Sequence, residues 1–160
     1  VSNRTNRQAR LVRIEIRAYT RIVTTDSPTE PCTCVALRQA TRALTASYDA
    51  ALRPAGLRVT QFSILRRLER LGPTPLTRLA VEAVLERTTM ARNLDPLERR
   101  GLVRIEPGQD ARERIVVLTD LGREAVAAAT PYWRAAQARI NAQVDPKAVA
   151  ALAEALIAAS

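Results

Sequence analysis

The sequence predicts a mainly α fold with a small β-wing, on three observations. Apolar residues make up 47% of the 160 residues and aromatics only 3%, so alanine and leucine carry most of the apolar share, which suits helices packed on helices. Apolar positions recur every three or four residues along most of the chain after residue 33. Between residues 102 and 118 that period gives way to alternation around a turn.

The elements follow in order. Leu37, Ala40, Leu44, Tyr48 and Leu52 predict one long amphipathic helix from Cys34 to Leu52, ended by Pro54 and Gly56. Thr60 is expected to cap a second helix through Phe62, Leu65 and Leu68, stopped by Gly72-Pro73. Thr77 starts a short third helix through Leu79, Ala80 and Ala83. In the stretch ERTTMARNLDPLERRGLV, residues 86–103, Met90, Leu94 and Leu97 fall on one side of a helix. Thr88, Arg92, Asp95 and Arg99 fall on the other, where a plain surface helix needs no such set of hydroxyl and guanidinium groups. LVRIE and RIVVLT then read as two strands joined by PGQDAR, a two-stranded hairpin. Thr119 caps a long helix through Leu121, Ala125, Ala128, Tyr132, Ala136 and Ile140, with a bend expected at Pro131. A last helix, Pro146 to Ala159, places Val149, Leu152, Leu156 and Ile157 on one face. A short helix, a tight turn, a helix with a polar outer face and a β-hairpin, in that order, make a winged helix-turn-helix.

Composition removes several chemistries. Histidine is absent and the cysteines are two, Cys32 and Cys34. That excludes Ser-His-Asp and Cys-His catalysis and histidine-ligated metal, and a Cys-x-Cys pair has too few ligands for a structural zinc. We therefore expect no enzyme, no cofactor and no metal. No apolar run approaches a membrane span and no signal-peptide core is present, so a cytoplasmic location with reduced thiols is expected.

Order and residues together resemble the MarR (multiple antibiotic resistance regulator) family of winged helix-turn-helix transcriptional regulators, over about residues 34–158. The most specific segments are residues 86–103, Asp110-Ala111-Arg112 in the wing, and VVLTDLGRE at 116–124. The resemblance implies a homodimeric repressor on a pseudo-palindromic operator in double-stranded DNA. Residues 57–119 would form the DNA-binding part, and residues 34–55 and 120–160 the dimerisation helices of a single domain, 32–160. Arg87, Thr88 and Arg92 are the expected base-edge contacts, with Ala91 near the groove floor and Thr89 and Asn93 reaching phosphates. Arg112 is similar to the family's minor-groove arginine and Asp110 to the carboxylate that aims it; Arg99 and Arg104 are candidate backbone contacts. Two positions depart from the pattern. Val84 stands where the family usually has glycine, although β-branching disfavours a left-handed turn. Glu86 stands where aspartate is common, and it is a poorer cap.

The formal charge of +9 is unevenly placed. Arg4, Arg7, Arg10, Arg13, Arg17 and Arg21 stand against Glu15 alone within residues 1–22, ahead of the linker-like TTDSPTEP. Residues 1–31 are expected to be a basic, disordered tail. The first methionine is Met90, so residues 1–22 read either as upstream translation from a valine-type start or as a basic arm that touches DNA.

Two signals are open. Cys34 opens the first helix with Arg38 one turn on, and a helix start and a guanidinium both favour the oxidisable thiolate. Its place fourteen residues before Tyr48 resembles the hydroperoxide-sensing branch of the same family, where two tyrosines hold the cysteine. Tyr48 matches one of them, and Arg38 occupies the place of the other. Cys32 is the other thiol. Alternatively, a small aromatic or anionic ligand would lie against Arg42, Tyr48, Phe62 and Trp133. A second function class is a winged helix used only for protein interaction, such as the dimerisation module of a methyltransferase. It would call for a glycine-rich cofactor segment after the wing, where Gly122 is the sole glycine.

Overall fold

The structure, a computed structural model, describes residues 32–110 and 113–159. The chain divides into two units, residues 1–46 and residues 47–160, each taken here by itself. Helix α1, Thr33–Leu52, starts in the first and ends in the second. In the first unit the Cys32 carbonyl accepts the Ala36 N–H at 3.1 Å, which opens the helix. Val35 and Leu44 are exposed there.

In the second unit a single 3-10 turn, Arg53–Ala55, ends α1 at Gly56. Helix α2 follows, Val59–Leu71, then the two-residue strand β1, Thr74–Pro75, and the short helix α3, Leu76–Glu82. Helix α4 is Arg87–Arg99 and continues through Pro96, which removes one intrahelical donor without ending the helix. Strands β2, Val103–Pro107, and β3, Arg114–Leu118, precede α5, Asp120–Asn141, and α6, Pro146–Ala158.

One core lies between these elements. Phe62, Ile64, Leu65 and Leu68 of α2 meet Leu79 of α3, Met90, Leu94 and Leu97 of α4, Val103 and Val116 of the strands, and Val126 and Ala129 of α5. Each buried leucine contributes about 1.5–3 kcal/mol by leaving water. This burial gives α4 its orientation: its apolar stripe is inside, so its polar stripe faces out. On α6, by contrast, Val149, Leu152, Leu156 and Ile157 are all exposed.

Two expectations needed correction. The cap of α2 is not Thr60, which lies inside the first turn. The Val59 N–H donates instead to Asp49 Oδ1 at 2.7 Å, and the Arg58 N–H to Gln61 Oε1 at 3.1 Å, so a carboxylate from the end of α1 supplies what a local hydroxyl was expected to supply. The second is the extent of the sheet: the expected hairpin is present as β2 and β3, but β1 joins it to make a three-stranded antiparallel sheet in the order β1-β3-β2. Val103 pairs with Leu118 and Ile105 with Val116 on one edge of β3, and Thr74 pairs with Val116 on the other. The Thr74 hydroxyl, buried in this sheet, donates to the Gly72 carbonyl at 2.9 Å.

The last two helices both carry side-chain caps. Only the first of these was named from the sequence: Thr119 Oγ1 accepts the Gly122 N–H at 3.0 Å at the start of α5, whereas the cap of α6, Asp145 Oδ1 accepting the Lys147 N–H at 2.9 Å, was not.

Candidate nucleic-acid interface

Helix α3 ends in a turn that aims α4. The Val84 N–H donates to the Val81 carbonyl at 3.0 Å and the Leu85 N–H to the Ala80 carbonyl at 2.9 Å. This is a Schellman closure, which requires a left-handed residue at Val84. Val84 adopts it, with φ 53. The same closure is made at Gly56 and Gly101, where glycine meets the demand without a Cβ. In each case a leucine follows (Leu57, Leu85, Leu102) and turns back onto the core. The departure at Val84 therefore leaves the turn geometry in place and stores strain in it.

Helix α4 begins at Glu86, whose backbone is extended and whose side chain makes no capping bond. That agrees with glutamate being a poor cap, and it leaves the first-turn N–H groups open to an external acceptor. Arg87, Thr88, Thr89 and Arg92 are exposed; Ala91 and Asn93 are half-buried. Opposite them Met90, Leu94 and Leu97 are 0% exposed. The Asn93 amide donates to the Thr89 carbonyl of its own helix at 2.9 Å, so its oxygen side remains for an outside donor.

The arginines separate by what they already hold. Arg67 donates to the Glu82 carbonyl at 2.8 Å and to Ser63, Arg104 pairs with Glu106, and Arg123 with Asp120. Among the described residues, Arg87, Arg92 and Arg99 have no hydrogen bond or ion pair, so their donors remain for another molecule. Of the two arginines expected at the backbone, Arg104 is thus engaged along its own strand while Arg99 is not. Thr77, read from the sequence only as the start of α3, and Arg78 are exposed in its first turn and were not among the expected DNA contacts. The first helix of the motif crosses the DNA backbone, so their position there was the signal. In the wing, the Glu113 N–H donates to the Asp110 carbonyl at 2.8 Å. Ala111 and Arg112 lie outside the described residues, as does the basic tail of residues 1–31. Residues 77–119 hold eight arginines and seven acids, so placement rather than bulk charge has to carry any phosphate binding here.

The other candidates are placed as follows. An Arg38 guanidinium nitrogen lies 3.7 Å from Cys34 Sγ in the first turns of α1, and both cysteines are exposed. Arg42 is exposed in the same unit. In the second unit the Tyr48 hydroxyl donates to Gln137 Oε1 at 2.6 Å, and burial raises its pKa above the usual tyrosine value. Phe62 is 2% exposed, with its ring 6.0 Å from that of Trp133. The Arg66 guanidinium lies over both rings. An open cleft of about 510 Å³ is lined by Ser63, Arg66, Arg67, Glu69, Arg70 and Glu82, a different set from the residues expected at a ligand. Among the described residues no group of three metal-ligating side chains occurs, and no helix is long and apolar enough to cross a membrane.

Comparison with known proteins addresses the same elements. The sequence model of the MarR family matches residues 57–113, from the residues ahead of α2 to the residue before β3. The chain is 40% identical to the Mycobacterium tuberculosis transcriptional regulator MosR in a crystal structure with DNA, covering 81% of this chain and 98% of that one, with a TM-score of 0.72. It is 26% identical to the transcriptional repressor CouR bound to a 23-mer DNA duplex, over 79% of this chain and 91% of that one, at a TM-score of 0.68. It is also 32% identical over 83 residues to the uncharacterized HTH-type transcriptional regulator YwoH of Bacillus subtilis (strain 168), which is 52% of this chain and 61% of that protein. The family match takes in the left-handed turn, the polar stripe of α4 and the first wing strand, and the likeness to a regulator 40% identical runs nearly end to end along it: the chain belongs to the MarR family of transcriptional regulators.

Proposed function

We propose that the protein is a repressor that binds a pseudo-palindromic operator as a homodimer, with α4 in the major groove of each half-site. The observation that carries this is the outward stripe of α4, where Arg87 and Arg92 are exposed and uncommitted directly opposite a buried apolar stripe. Guanidinium groups on the first turns of a groove-sized helix can reach guanine edges in pairs of hydrogen bonds. DNA-bound structures of the related MosR and CouR support the same use of the fold. Arg112 and Asp110 complete the reading at the wing tip, in the minor groove. A second copy is the partner that the exposed apolar residues of α1 (Val35, Leu44) and of α6 (Val149, Leu152, Leu156) call for. The alternative, a winged helix serving only as a protein-interaction module, leaves the uncommitted arginines without a role.

Of the two signals, thiol oxidation is favoured by Arg38 lying on Cys34 Sγ at 3.7 Å. A hydroperoxide would transfer its terminal oxygen to the thiolate, leaving a sulfenic acid and the corresponding alcohol. A disulfide to Cys32 across one residue is strained, so a bond to the partner subunit or to a small thiol is the expected resolved product. The small-ligand reading keeps Arg42, Tyr48, Phe62 and Trp133 as its residues.

The test of DNA binding is a gel-shift titration of the protein on its own upstream region with Arg92→Ala alongside. The variant is expected to lose about 1–3 kcal/mol and to relax selectivity at one base pair of each half-site. Unchanged affinity and selectivity would remove α4 from the groove and leave the protein-interaction reading.

A further inference from the structure

The three residues that leave α4 are tied to two other segments at once. Arg100 Nη1 donates to the Gly56 carbonyl at 2.8 Å, across 44 residues of sequence, at the turn that ends α1. Thr119 Oγ1, the cap of α5, donates to the Gly101 carbonyl at 2.6 Å and lies 3.1 Å from that of Leu102. The Thr119 N–H donates to the Leu102 carbonyl at 3.2 Å. Packing here is close: a Cβ on Gly122 would come within 2.1 Å of the Leu102 oxygen, so α5 can start here only with a glycine at that position.

The two grips differ in kind. The grip on Thr119 is built from backbone atoms and a buried glycine, and it belongs to the fold. The grip on Gly56 is one exposed guanidinium reaching a carbonyl at the surface. A contact of that sort adds little to folding, but it fixes the angle between the end of α4 and the segment that follows α1. Leu57 and Leu102, each 3% exposed, bury the chain just beyond both ends of the strap and act as its pivots.

We propose that Arg100 is a positioning residue: by holding the C-terminal end of α4 to the Gly56 carbonyl, it sets the direction of the recognition helix relative to the turn at residues 53–56, and so the half-site spacing the dimer accepts. Arg100 acts through α4 and not on a base. The inference rests on the reading of the protein as a dimer on paired half-sites. A strapped pair of α4 helices reads one separation of half-sites; a loosened pair reads several with less affinity for the best.

The experiment uses the full chain. The wild-type protein selects duplexes from a random library, and the preferred duplex is remade with spacers one and two base pairs longer or shorter and as a single half-site. Dissociation constants are measured for wild type, Arg100→Ala and Arg100→Lys. Wild type is expected to lose at least about tenfold per inserted base pair, since each one rotates the half-sites out of phase. Arg100→Ala is expected to flatten that profile to within about threefold while its single half-site affinity stays within about twofold. Arg100→Lys should restore most of the profile, because an ammonium group can still reach the Gly56 carbonyl. An Arg100→Ala protein with the wild-type spacing profile overturns the proposal. So does a uniform loss on all duplexes, single half-site included, which would make Arg100 a phosphate contact. If Arg100→Ala does not fold, Arg100→Met decides, because it keeps the aliphatic stem and removes the donor to the Gly56 carbonyl: a wild-type melting temperature with a flattened profile supports positioning, and an unchanged profile overturns it. Selection of unpaired half-sites by wild type would instead overturn the dimer reading, and the proposal with it.

Discussion

The Leu85 N–H reaches back to the Ala80 carbonyl at 2.9 Å, and to make that bond the chain passes through Val84 in the left-handed region at φ 53. A β-branched residue there costs about 1–2 kcal/mol more than glycine. Glycine itself loses about 0.5–1 kcal/mol more backbone entropy on folding. Val84 is 89% exposed, so its side chain contributes almost no packing to offset the strain. Val84→Gly should therefore stabilise the protein by about 0.5–1 kcal/mol, read as a higher urea midpoint at unchanged slope. A lower midpoint would mean that the turn is not strained by its side chain.

Gly122 and Gly72 separate two reasons for having glycine. A Cβ at Gly122 would lie 2.6 Å from Leu118 Cδ1 and 2.1 Å from the Leu102 carbonyl oxygen, a backbone atom that cannot yield as a side-chain tip can. Gly122→Ala should cost about 3 kcal/mol or more as overpacking. At Gly72 nothing lies within 4 Å of the added carbon, and only its φ of 72 opposes it. Gly72→Ala should cost about 1–2 kcal/mol. Thermal melts of the two variants should rank them in that order.

Cys34→Ser should leave operator binding intact and remove its sensitivity to oxidant. Reduced wild type and variant are titrated with cumene hydroperoxide and with hydrogen peroxide before a gel shift. Wild type is expected to release DNA and the variant to retain it. Arg38→Ala should slow the wild-type response, because the guanidinium that donates to Cys34 Sγ at 3.7 Å is gone. Should both proteins release DNA alike, or neither, Cys34 is not the sensor and the small-ligand reading takes its place.

Tyr48 gives a pH dependence whose sign follows from its environment. Burial raises its pKa in the folded chain above the ordinary tyrosine value of 10.0. The unfolded chain then ionises first, so the stability contributed by this group is fully present below pH 10 and falls as the pH rises beyond it. Tyr48→Phe should lose the bond to Gln137, about 0.5–1.5 kcal/mol at neutral pH. The difference in stability between the two proteins should shrink as the pH rises above 10, as measured by urea denaturation. A difference independent of pH would place the hydroxyl in water.

The parts legible in the sequence are those written in near neighbours. The stripe of Met90, Leu94 and Leu97 repeats at helical spacing, and spacing alone fixes which side of α4 is outside. Thr119 sits at the start of its helix and caps it, and Gly72 and Gly101 stop theirs, because capping and chain reversal are settled within a few residues. Tertiary structure decided what depends on partners far along the chain. Strand β1 is two residues with a proline, too short for any pattern, and it exists only because β3 offers it an edge. The cap of α2 comes from Asp49 on the preceding helix, so Thr60 was a reasonable local choice displaced by a nearer carboxylate. Val84 takes a conformation its own chemistry opposes because Leu85 must turn back onto the core. The strap from Arg100 to Gly56 has no local signature at all: a guanidinium and a carbonyl 44 residues apart meet only after α1, α4 and α5 have packed around the same buried leucines.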